Sequence, residues 1–235
     1  MLAVFSDAVV SPPEELVQAG SRTPTPKQTA TKLLDAFLQS NPCSMALNIG
    51  GAAQIAFTHR NQSLLQPRSF AVNEEIYCLF KGTLENLPSL KQHYGLAKNA
   101  SEVVLVMEAY RALRDRAPYS TNQMLAHLVG QFAFVVFDSV TSTVFAAADQ
   151  DGKVPLFLGI TVDGYLAFSD ETEVLRSACG QSLASFPPGC FFSTSTGIRS
   201  YEHPKNRVTV LPATDEETWG ATFKIERPCS QAADE

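Results

Sequence analysis

Short apolar runs stand on both sides of a helical middle, and few folds accommodate that order. The run FAFVVF inside GQFAFVVFD (residues 130–138) is followed by TVFAAADQD, and PLFLGITVDGYLAFSD then reads as a hairpin turning at Asp163-Gly164, a pair that tolerates positive φ. GCFFST and residues 198–201 add strands, with a short helix at ETEVLRSAC between. Before the middle, MALNIG, AQIAFTHR and FAVNEEIYCLFKGTL (residues 70–84) are strand-like and separated by Gly-Gly and polar turns.

Helical spacing governs the rest. TKLLDAFLQS puts Leu33, Leu34, Phe37 and Leu38 on one face ahead of Asn41-Pro42. NLPSLKQHYG carries Leu87, Leu90 and Tyr94 on a face that stops at Gly95. Asn99 with Glu102 resembles a capping box for ASEVVLVMEAYRALRDR, whose stripe is Val103, Val106, Met107, Tyr110 and Leu113. A shorter helix is expected near residues 122–128. Helices gathered between blocks of strands imply an α+β layered fold and not the β-α alternation of a doubly wound sheet. One domain over residues 1–225 is expected, with a frayed tail at 226–235. The segment QAGSRTPTPKQTAT (residues 18–31) reads as a surface loop.

Composition narrows the function. A formal charge of −6 and the lack of a Lys/Arg-rich arm argue against nucleic acid as a partner. FAFVVF is far short of the roughly 20 apolar residues that span a bilayer, and MLAVFSDAVVSPPEE has no basic segment of a secretory signal. Cys43, Cys78, Cys179, Cys190 and Cys229 are scattered and odd in number, as expected of free thiols in a cytoplasmic or nuclear setting. His59, His93, His127 and His203 lack metal-ligand spacing, so no metal and no cofactor is expected.

The polar triplet Asn73-Glu74-Glu75 interrupts FAVNEEIYCLFKGTL. Adjacent residues on a strand point to opposite faces, which excludes Glu74 and Glu75 as a glycosidase pair. On composition alone an exposed turn between two strands explains the triplet.

A resemblance offers a second explanation. VNEEIY resembles the VNGEIYN segment of class II glutamine amidotransferase domains, such as the amino-terminal domain of asparagine synthetase. In the same order, GQFAFVVFDSVTSTVFAAADQDGKVPLFLG is similar to that family's GMFAFALYD strand and RDxxGxxPLY segment, FSDETEVL to its ASExKAL, and SFPPGCFF to its FPPGxxY. This covers roughly residues 46–204 and implies an N-terminal nucleophile hydrolase fold, a four-layer αββα sandwich of two antiparallel sheets. MLAVF, HYGL (residues 93–96) and LRDR (residues 113–116) further resemble the plant aluminium-induced or stem-specific proteins with YGL and LRDR motifs. That resemblance spans the chain and implies expression tied to stress, sugar or hormone status.

Carried over residue by residue, the resemblance implies a damaged site. The family's nucleophile is a cysteine after the initiator methionine, and its freed α-amine serves as base; here that residue is Leu2, which has no nucleophile and disfavours methionine removal. The oxyanion hole uses an Asn side chain and the N–H of the following Gly, placed at Asn73 and Glu74, where a carboxylate opposes the developing charge. Glu75 matches the family's acidic residue, Arg60 is the nearest match to the arginine that holds the substrate carboxylate ahead of Arg68, and Ala100 stands where an aspartate grips the α-amine.

The expected function is therefore a catalytically silent amidotransferase-like domain that binds a small, glutamine-like metabolite or a protein partner. The alternatives are an active glutamine or glutamyl-compound amidohydrolase with a nucleophile elsewhere, and a structural, homodimerising stress protein whose own side chains fill the pocket. YGL and LRDR read as helix ends, with Gly95 as a C-cap and Arg114 and Arg116 meeting the helix dipole.

Overall fold

Alternation along β6 (Gly130–Asp138) shows why its sequence is apolar without a break. Phe132, Phe134 and Val136 enter one core while Ala133, Val135 and Phe137 enter another, so both faces of the strand are covered. The computed structural model describes residues 1–14, 16–17, 27–58, 69–116, 118–212 and 220–227.

Two sheets sandwich the first of these cores. The strands are β1 (Leu2–Phe5), β2 (Ser44–Ile49), β3 (Ala53–Thr58), β4 (Phe70–Asn73), β5 (Ile76–Leu84), β6, β7 (Thr143–Ala148), β8 (Phe157–Ile160), β9 (Leu166–Ser169), β10 (Leu183–Ser185), β11 (Cys190–Ser193), β12 (Gly197–Ser200), β13 (Arg207–Pro212) and β14 (Ala221–Glu226). One sheet runs β13-β14-β10-β8-β9-β1-β3-β2 and the other β12-β11-β7-β6-β5-β4. All pairings are antiparallel except β10 with β14, where a single parallel bridge joins Ala184 and Ala221. Between the sheets Phe5 lies 5.4 Å from Phe137 and Phe168 lies 5.7 Å from Phe192, ring centre to ring centre. These tilted aromatic contacts add to the burial that holds the sheets together.

Helices close both outer faces. α1 (Ala30–Ser40) and α5 (Thr172–Cys179) cover the eight-stranded sheet with Leu33, Phe37, Leu175 and Ala178. α2 (Leu87–His93), α3 (Glu102–Asp115) and α4 (Thr121–Ala126) cover the other with Leu90, Val106, Tyr110 and Met124. The result is the αββα sandwich that the resemblance implied. Among the described residues no helix is long and apolar enough to cross a membrane.

Local details differ from the sequence expectations. The N-cap of α3 is Ser101, with no side-chain cap bond, so Asn99 and Glu102 do not form a capping box; the box stands at Ser120 and Gln123 of α4. β10, β13 and β14 are not among the strands expected from the sequence, and β14 carries order to Glu226, into the stretch expected to fray. Thr23-Pro24 and Thr25-Pro26 lie outside the described residues, as does Cys229.

Candidate functional site

β1 lies in the middle of its sheet, paired Leu2 to Ser169 on one side and Leu2 to Ala56 on the other. Strand alternation sends Leu2 and Val4 toward the helices and Met1, Ala3 and Phe5 into the space between the sheets. Leu2 is wholly buried in the cluster that holds Leu33 and Phe37. The nucleophile position is thus a packed apolar residue, without a group that could attack an amide.

The α-ammonium of Met1 is buried and bound to one carboxylate oxygen of Asp170, while Lys81 reaches the other oxygen. Burial works against the ionised carboxyl of Asp170, but the α-ammonium and Lys81 outweigh it and hold the group below the usual carboxylate range. The start of the chain is thus held in an ion pair between the strands.

Lys81 is followed by Gly82, whose φ of +120° is closed to ordinary side chains and whose absent Cβ would collide with the Gln131 carbonyl on β6. A polar residue followed by an obligatory glycine is the pattern expected of the oxyanion hole. Lys81-Gly82, a polar residue followed by such a glycine, stands beside the chain's start through the Lys81–Asp170 pair. The sequence carried a signal for this, since a glycine inside a strand marks close backbone approach.

Asn73, Glu74 and Glu75 form the tip of the β4–β5 hairpin. Register pairs Asn73 with Ile76, leaving Glu74 (φ 48°) and Glu75 (φ 64°) as a two-residue turn. Lys81 is five steps along the strand from Ile76, about 17 Å at the usual rise. Glu74 pairs with Arg111 at 3.2 Å, and the Glu75 carboxylate accepts from the Ser139 hydroxyl at 3.1 Å. The exposed-turn reading of the triplet holds, with Asn73, Glu74 and Glu75 at the tip of the hairpin.

Ala100 precedes α3, its N–H bonded to the Ala97 carbonyl at 3.0 Å, and brings no carboxylate for an α-amine. Arg60 and Arg68 lie outside the described residues. Burial raises the thiol pKa of Cys78, and those of Cys179 and Cys190 rise to about 12 for the same first reason, so these three are held as neutral thiols. Cys43 is exposed. Among the described residues no three His, Cys, Asp or Glu side chains stand close enough to hold a metal.

The YGL and LRDR segments meet. Tyr94, Gly95, Asp115 and Arg116 line one hollow of about 360 Å³ together with His93 and Arg111. Gly95 (φ +66°) ends α2 with the Leu96 N–H bonded to the Lys91 carbonyl at 2.8 Å, a Schellman closure. Arg114 spans Asp115 at 2.8 Å and the buried Asp138 at 3.0 Å, tying the end of α3 to the end of β6. Burial opposes the charge on Asp138, but Arg114 and the Thr141 N–H and hydroxyl keep its pKa low.

Similarity to known proteins agrees with this geometry. The family profile described as aluminium induced protein matches residues 2–225. The chain is 41% identical over 149 residues to the stem-specific protein TSJT1 of Nicotiana tabacum, covering 63% of this chain and 99% of that protein. It is 27% identical over 164 residues to an asparagine synthetase (glutamine-hydrolyzing) of Oryza sativa, covering 66% of this chain but only 26% of the enzyme's length. Among solved structures, the glutamine phosphoribosylpyrophosphate amidotransferase of B. subtilis superposes with a TM-score of 0.50 over 88% of this chain and 50% of its own, at 15% identity, a likeness of fold. Two stacked sheets, β1 inside the larger of them and the match from Leu2 onward make one conclusion: the chain belongs to the aluminium-induced protein family, built on a glutamine amidotransferase-like domain.

Proposed function

We propose that this domain is catalytically silent toward glutamine and acts as a binding module. The observation that carries the reading is the start of β1, where Leu2 is wholly buried and the Met1 ammonium is neutralised by Asp170 with Lys81 alongside. The reaction needs a nucleophile, a base and an oxyanion donor at one point. On this reading leucine, a paired ammonium and a lysine stand in those places. Burial keeps Cys78, Cys179 and Cys190 protonated, which disfavours these three as replacement nucleophiles. Unpaired cysteines agree with a cytoplasmic or nuclear setting.

The test is to incubate the purified chain with glutamine and follow glutamate and ammonia, with glutamine binding followed in parallel by equilibrium dialysis. The reading expects no turnover above a heat-treated control, whether or not glutamine is retained. Sustained release, abolished by heat, would overturn it in favour of an amidohydrolase with another nucleophile.

A further inference from the structure

Where the edge strand β12 of one sheet approaches the edge strand β13 of the other, a groove of about 930 Å³ opens. Arg199, Lys205 and Arg207 line it, all exposed. None of the three forms an ion pair among the described residues. Two further lining residues carry charge and are paired: Arg227 with Glu202 at 3.7 Å, and Glu226, opposite Arg207 on the neighbouring strand, with Lys224 at 3.6 Å. Three cations without an ion pair among the described residues thus share one concavity on a chain whose formal charge is −6.

The walls add chemistry to the charge. Ile198 and Val208 give half-buried apolar surface, and Asn206 donates to the Ser200 hydroxyl at 3.3 Å, which fixes one amide at the groove. Two guanidinium forks with an ammonium suit a group of several anionic oxygens better than a single carboxylate. The volume lies in the range of small-ligand sites. An extended polyanion is disfavoured, because the overall negative charge repels whatever continues beyond the groove. From this we infer that the groove is a binding site for a small phosphorylated metabolite, its phosphate held by Arg199 and Arg207 with Lys205. The site is separate from the start of β1, so the inference stands or falls independently of glutamine chemistry.

Calorimetric titration of the full chain with pyrophosphate at low salt tests it, with adenosine monophosphate and glucose 6-phosphate as competitors. Saturable binding at one per chain is expected, weakened at least tenfold in the double variant Arg199→Ala/Arg207→Ala and less in Arg199→Lys/Arg207→Lys. A charge control, Lys32→Ala/Lys98→Ala, should bind as the parent does. The ester that displaces pyrophosphate at the lower concentration names the ligand class. Absence of saturable binding by all three probes, or an equal loss in the charge control, would overturn the proposal.

Discussion

The two ends of β5 are made of the same kind of strand and have opposite surroundings. At Lys81-Gly82 the strand lies against the start of the chain, where a buried ammonium and carboxylate meet and the backbone of β6 leaves no room for a side chain. At Ile76 it emerges from an exposed turn whose two glutamates sit in left-handed conformation with partners at the surface. The sequence drew attention to the second end, since a polar triplet between apolar runs stands out. Polarity in a strand marks a break in burial, whereas a site is marked by polar groups that remain buried and paired.

The contrast can be broken by substitution. Asp170→Ala leaves the Met1 ammonium buried without its counter-ion and should cost about 3–5 kcal/mol, read by chemical denaturation. A loss below 1 kcal/mol would mean that the pair is not buried in solution. Gly82→Ala forces a Cβ against Gln131 at a φ closed to alanine and should cost roughly 2 kcal/mol or more by the same measurement.

Acid should separate the ends as well. The folded carboxyls of Asp170 and Asp138 are held below the unfolded value of about 3.9. Their contribution is complete above that pH and is lost as the pH falls through the folded values, with a slope approaching about 1.4 kcal/mol per pH unit for each group. Melting temperatures measured downward from pH 5 should therefore fall below about pH 4, and less steeply in Asp170→Asn than in the parent. The smallest effect belongs to the hairpin tip: Glu75→Gly relieves a left-handed glutamate and should stabilise by about 0.5 kcal/mol, leaving the Asp170 pair unaffected. A double-mutant cycle between the two positions should show additivity.

Much of this was legible beforehand. Leu33 and Phe37 on α1, the uninterrupted run of β6 and the Asp163-Gly164 turn follow from periodicity and turn chemistry, because burial and backbone sterics act locally. The absence of a nucleophile could be read from Leu2 alone. What could not be read was which polar residue meets the chain's start, since that depends on register between strands about eighty residues apart. Asn73 resembled the expected amide in type and neighbours, while Lys81 was concealed inside a strand whose glycine looked like a weakness. β13 and β14 escaped notice because their inward faces are only half covered and their polar faces open to solvent, so RVTVLP and ATFKIE stand out less than the unbroken apolar runs.

The central claim is that no nucleophile stands ready at a glutamine site. An electrophilic diazoketone analogue of glutamine, incubated with the native chain and followed by intact mass, tests it directly. The account predicts an unchanged mass when the analogue is in excess and glutamine is absent. A stoichiometric adduct of one analogue per chain, blocked by glutamine, would contradict it.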